Sequence, residues 1–89
     1  MVLQSSDVIF EVVDGRAVLV DPSGSELITL NPVASMIWEA LAEPTDAGSI
    51  ADRLLPEFED VSREQLHADI VEFLKELDEL GVLATTSEG

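Results

Sequence analysis

The sharpest constraint on this chain is the stretch Leu30-Asn31-Pro32-Val33-Ala34-Ser35-Met36-Ile37-Trp38-Glu39-Ala40-Leu41, where an alternating, strand-like run becomes an amphipathic helix with no linker. Asn31 is placed to accept a hydrogen bond from the free amides of the first turn. Pro32 needs no amide partner at the first helical position and arrives with a helical φ. The single Trp of the chain lies inside this new helix.

Upstream of the junction, Val8 to Val13 is rich in β-branched and aromatic residues and ends at Asp14-Gly15, a dipeptide suited to the positive φ values of a tight hairpin turn. A second strand follows at Arg16 to Val20. Asp21-Pro22-Ser23-Gly24 has turn composition, and Ser25 to Leu30 makes a third strand. An antiparallel meander results, whose third strand keeps one edge unpaired unless a later segment covers it. Along that strand Glu26, Ile28 and Leu30 share one face and Leu27 and Thr29 the other, so both faces carry an apolar residue.

Three helices are expected downstream. The first runs from Pro32 to about Ala42, stopped by Glu43-Pro44, with Val33, Met36, Ile37, Ala40 and Leu41 spaced as a buried stripe. The second starts near Asp46 or Ser49 and carries Ile50, Leu54 and Phe58 on one face, while Pro56 disturbs its far end. The third opens with Ser62-Arg63-Glu64-Gln65, a capping box, and closes at Gly81. Phe73, Leu77, Ile70 and Leu80 fall within about 40° of Leu66 on its helical wheel and predict a core stripe. Leu74, His67, Asp78 and Val71 lie between about 80° and 140°, which extends the apolar surface around one flank. Val82-Leu83-Ala84 can return as a short extended tail. One domain is expected over residues 8–84, with residues 1–7 a flexible start and 85–89 a frayed end.

Composition narrows the function. A chain of 89 residues builds one core and leaves little room for an enclosed active site. Hydrophobic residues make up 46%, which is ample for a folded core, so the acidity does not imply disorder. There is no Cys for a disulfide or a thiolate metal site, no apolar run long enough to span a membrane, and no basic region before an apolar one at the start. A soluble, cytoplasmic protein is expected. Four Lys and Arg against 19 Asp and Glu give a formal charge of −15, which repels a polyphosphate backbone. Nucleic acid and membrane are thus poor partners, whereas a basic partner would be steered in.

Three strands followed by three helices, with the strand-to-helix turn at Leu30-Asn31, resemble the PqqD family of precursor-peptide recognition elements. The resemblance rests on that turn, on Ile37-Trp38-Glu39-Ala40-Leu41, on Ser49-Ile50-Ala51-Asp52-Arg53-Leu54, and on Asp69-Ile70-Val71-Glu72-Phe73-Leu74-Lys75-Glu76-Leu77 leading into Leu80-Gly81-Val82-Leu83. It covers roughly Val8 to Leu83 and departs at Glu43-Pro44-Thr45-Asp46, where many relatives carry a Gly-containing turn. It implies an α+β, winged-helix-like domain with a three-stranded antiparallel β-meander followed by three α-helices. It also implies binding of a precursor's leader peptide as an added strand on the third strand, in a groove walled by the last helix. The open edge and the apolar helix flank point to the same two elements without the resemblance.

The residues expected to bind peptide are Ser25, Glu26, Leu27, Ile28 and Thr29 on the strand, and His67, Ile70, Val71, Leu74 and Asp78 on the helix. Partners implied are the precursor peptide and a modifying enzyme such as a radical-SAM protein, a cyclase or a leader peptidase. Monomer and homodimer through the open edge both remain open, as does an acidic interaction module that binds no leader. No cofactor or metal is expected, because His67 stands without Cys or a second His, and no catalysis, because Ser35 and Ser49 lack triad partners. Trp38 is expected in the core. An acyl carrier protein would need a Ser just after an Asp at the start of its second helix, and here Gly48 precedes Ser49. A winged-helix DNA binder would fit the fold and not the charge.

Overall fold

The computed structural model describes residues 1–6, 8–20 and 24–85. Its elements in chain order are β1 (Val2–Gln4), β2 (Ile9–Val13), β3 (Arg16–Val20), β4 (Leu27–Thr29), α1 (Pro32–Ala40), α2 (Ala47–Leu54), a 3-10 turn (Leu55–Glu57), α3 (Arg63–Glu79) and β5 (Leu83–Thr85). Strands β2, β3 and β4 form the antiparallel meander in that order. Asp14 and Gly15 take φ of 52° and 78°, the left-handed pair that a two-residue hairpin needs to match strand twist. The expected turn at Asp21-Pro22-Ser23 lies outside the described residues.

The register pairs Phe10 with Leu19 and Leu19 with Ile28, which puts these side chains on the sheet's inner face with Ala17 and Leu30. Helix α1 covers that face, and α2 links α1 to α3. Trp38, Leu19, Leu41, Ile50, Ile70, Leu77 and Val82 are fully buried where sheet and helices meet. Each such large apolar side chain contributes about 1.5–3 kcal/mol when withdrawn from water. The Trp38 indole meets Phe10 edge to face at 5.4 Å, so the core expectation for Trp38 holds.

The junction behaves as its residues dictate. Asn31 is the N-cap of α1 and its Oδ1 accepts from the Ala34 amide at 2.7 Å, with Pro32 at the first position. Asp46 caps α2 through Ser49 and Ser62 caps α3 through Gln65, at 2.8 and 3.1 Å. The capping box of α3 is half made: the Gln65 side chain reaches forward to Asp69 at 2.9 Å instead of back to Ser62.

Five expectations need correction. Residues 2–4 are not a loose start: β1 pairs antiparallel with β5, Val2 opposite Thr85, and Val2 exchanges both backbone bonds with Thr45. Thr85 accordingly sits in a strand, while residues 86–89 lie outside the described residues. Leu80 leaves the core stripe and is 42% exposed, because the helix has already ended at its C-cap there. Val33 is likewise exposed, and Ser35 and Trp38 take its place on the buried side of α1. Helix α2 stops at Leu54, and Pro56 continues it only as a 3-10 turn, so Phe58 packs from beyond the helix.

Candidate functional site

Among the described residues, strand β4 pairs with β3 on one side and with no strand on the other. Its direction of hydrogen bonding follows from one bond. The Leu30 amide donates to the Ala17 carbonyl at 2.8 Å, which makes Leu30 and Ala17 a hydrogen-bonded pair of the ladder. Two residues back, Ile28 faces Leu19 in the same phase. Leu27 and Thr29 fall between, so their N–H and C=O groups turn away from β3 toward the free edge. An added strand would find its backbone partners at these two residues.

The end of this ladder is held by Ser35, which is buried in α1. The Ala17 amide donates to Ser35 Oγ at 2.7 Å, and that hydroxyl lies 3.4 Å from the Leu30 carbonyl. The hydroxyl thus stands where a second Ala17 to Leu30 ladder bond would run, and it ties strand to helix. The sequence argues against Ser35 as a nucleophile, and its structural role is not among the expectations above. A small hydroxyl residue one turn into a helix that directly follows a strand is the available signal.

On α3 the expected flank divides by burial. Val71 is 45% exposed, Asp78 is exposed, and His67 and Leu74 are half-buried. Ile70 is a correction: at 0% exposure it belongs to the core and offers no surface. It lies too close to the Leu66 and Leu77 stripe to reach the flank. On the strand, Ser25, Glu26 and Thr29 are exposed and Leu27 is 71% exposed, whereas Ile28 is half-buried against the core. Strand and helix flank are positioned relative to each other through α1 and α2, since α1 packs on β3 and α2 packs on α3.

That helical frame is pinned at the start of α3. Arg63 Nε donates to Asp52 at 2.6 Å and its Nη2 to the Gly48 carbonyl at 3.3 Å. The hydrogen bond from Arg63 holds the Asp52 carboxyl below its ordinary range, and Asp52 raises Arg63 in return. Asp46 is lowered by the amide and hydroxyl of Ser49 at the cap of α2. Among the described residues no three His, Asp or Glu side chains gather as a metal site. No described helix is long and apolar enough to cross a membrane.

A family model described as coenzyme PQQ synthesis protein D (PqqD) matches residues 16–83, a span that runs from β3 to the first residue of β5 and contains both β4 and α3. The chain belongs to the PqqD family. Two solved structures share the fold of this PqqD-family chain. TbiB1 in complex with the TbiA(beta) leader peptide is 26% identical, with a TM-score of 0.83, over 97% of this chain and 99% of that one. Lasso peptide synthetase B1 complexed with the leader peptide is 25% identical, with a TM-score of 0.80, over 93% and 96%. No curated protein sequence matches the chain. The PqqD match begins at Arg16 and so leaves β1 and β2 outside it.

Proposed function

We propose that this PqqD-family chain is a non-catalytic accessory protein that captures the leader of a precursor peptide and delivers it to a modifying enzyme such as a radical-SAM protein, a cyclase or a leader peptidase. The observation that carries this reading is the likeness, over nearly its whole length, to two proteins solved with a leader peptide bound. The leader adds as a strand to β4, taking its backbone bonds from Leu27 and Thr29, with Ser25, Glu26 and Ile28 along the same segment. His67, Val71, Leu74 and Asp78 of α3 form the side-chain wall that selects among peptides, and Ile70 supports them from the core. Main-chain pairing supplies affinity and the pockets supply choice. The protein acts without cofactor or nucleic acid, in the cytoplasm.

The test is Thr29→Pro, which removes an outward-facing amide and no bond to β3. With the circular dichroism spectrum unchanged, affinity for a fluorescein-labelled leader peptide of the same pathway should fall by about tenfold or more, as loss of a central contact typically does. A folded Thr29→Pro protein that binds the leader as tightly as the parent overturns strand addition at this edge. Absence of leader binding by the parent overturns the function.

A further inference from the structure

Strand β1 joins the far ends of two helices. Gln4 reaches the carbonyl end of α1 twice: its backbone amide donates to the Leu41 carbonyl and its side-chain Nε2 to that of Trp38, each at 2.8 Å. Carbonyls in the last turn of a helix lack their regular partners, so both bonds meet a demand that α1 cannot meet itself. One residue on, the Ser5 amide donates to the Val82 carbonyl at 2.9 Å, and Gln4 stands opposite Leu83 in the pair of β1 with β5. Val82 is fully buried, and its own amide closes the end of α3 on the Leu77 carbonyl. Strand β1 is thus bonded to the end of α1 on one side and to the end of α3 on the other.

Those two ends belong to the two walls of the proposed groove. Helix α1 packs on β3 and holds the end of β4 through Ser35 and Leu30, while Leu74 and Asp78 lie in the last turns of α3. Arg63 fixes the start of α3 to α2 and does not reach its end. An added strand needs backbone partners at about 2.7–3.2 Å while the side chains of the same peptide meet the helix, so the walls bind best when their spacing is set beforehand. We propose that β1 is the strut that sets this spacing, with Gln4 as a positioning residue that acts through α1 and β5. This inference rests on the leader-capture reading above. Apparent affinity falls with the fraction of molecules that hold the competent spacing. Coupling is reciprocal, so a bound leader steadies β1 in turn.

The test reads three quantities on the full chain. They are affinity for the fluorescein-labelled leader by anisotropy, hydrogen exchange at the Gln4 and Ser5 amides, and the distance between nitroxide labels at Glu11→Cys on β2 and Glu76→Cys on α3. Both label positions are exposed, and the chain has no Cys of its own. Gln4→Glu keeps the side chain's shape and turns a carboxylate toward the negative end of α1. Leader affinity should fall by about fivefold or more and the label distances should spread. Gln4→Ala removes the donor alone, should do the same more weakly, and carries the test where Gln4→Glu does not fold. Gln4→Lys offers an ammonium to the same carbonyls and should stay within about twofold of the parent. Ile50→Val trims the buried side of α2 and should also stay within about twofold at a temperature where every variant is folded. In the parent, leader should slow exchange at Gln4 and Ser5, which a strand of purely structural use would not show. Unchanged affinity and label distances in the folded Gln4 variants overturn the proposal, as does an equal loss in Ile50→Val or exchange that leader leaves as it was. A parent that binds no leader overturns the leader reading, and the label distances of the Gln4 variants then judge the strut by themselves.

Discussion

Ser35 carries more of this fold than its size suggests. Its hydroxyl takes the Ala17 amide and approaches the Leu30 carbonyl inside the core, where neither group can turn to water. Ser35→Ala leaves the Ala17 amide without its partner, and such an orphaned buried group costs about 1–3 kcal/mol. Chemical denaturation should show that loss, and hydrogen exchange at Ala17 should quicken. Trp38→Phe removes an indole N–H that has no partner among the described residues, so its cost comes from the cavity left in the core. At the helix starts, Asn31→Ala should cost about 1 kcal/mol by removing the cap of α1. Asp46 adds a pH dependence. Its carboxyl is lowered below the ordinary value of 3.8, so it binds fewer protons folded than unfolded. Its contribution is complete above the unfolded-state value and is lost as pH falls through the lower folded one. Asp52, lowered by Arg63, acts with the same sign in the same window. Asp46→Asn keeps a good cap and should flatten the fall in stability below about pH 4, as followed by acid titration of the Trp38 fluorescence.

Among the elements, those whose determinants are local were legible in the sequence. The Asp14-Gly15 turn, the Asn31-Pro32 start, the Ser62 cap and the break at Pro56 each depend on a few neighbouring residues. Their positions follow from backbone stereochemistry. The β1 to β5 clasp was not legible, because three-residue strands carry no periodicity and their pairing is decided by where α3 ends. The candidate site divides along the same line. The open edge of β4 followed from strand order, and the flank of α3 from helical geometry. The burial of Ile70 followed too, from its place in the core stripe beside Leu66 and Leu77, and a residue so buried cannot also line the binding wall. Within β4, Ile28→Pro should differ sharply from Leu27→Pro. The Ile28 amide faces Leu19 in the ladder, so its removal should unfold the meander, seen as a lost strand signal in circular dichroism. On α3, Val71→Asp puts a charge on an exposed position and should leave stability within about 0.5 kcal/mol of the parent. Leader affinity should nevertheless drop by about tenfold or more as that charge is desolvated.

The whole molecule is thin, with Cα extents of 37 × 37 × 18 Å, and it carries −15 on that small body. Such charge works against compaction at every pH where the carboxylates are ionised. Raising NaCl from about 20 to 500 mM should therefore raise the melting temperature, because screening relieves the self-repulsion. A melting temperature that falls with salt would mean that attractive pairs such as Arg63 with Asp52 outweigh the net charge. The clasp of β1 with β5 has one more consequence. Val2 and Thr85 face each other across an antiparallel pair, so their Cα atoms are separated by about 5 Å. That is the gap a polypeptide leaves when it makes a short excursion and comes back. Spliced at both points into a surface loop of a larger enzyme, this fold would ask its host for almost no rearrangement, and the two bodies should melt as independent transitions.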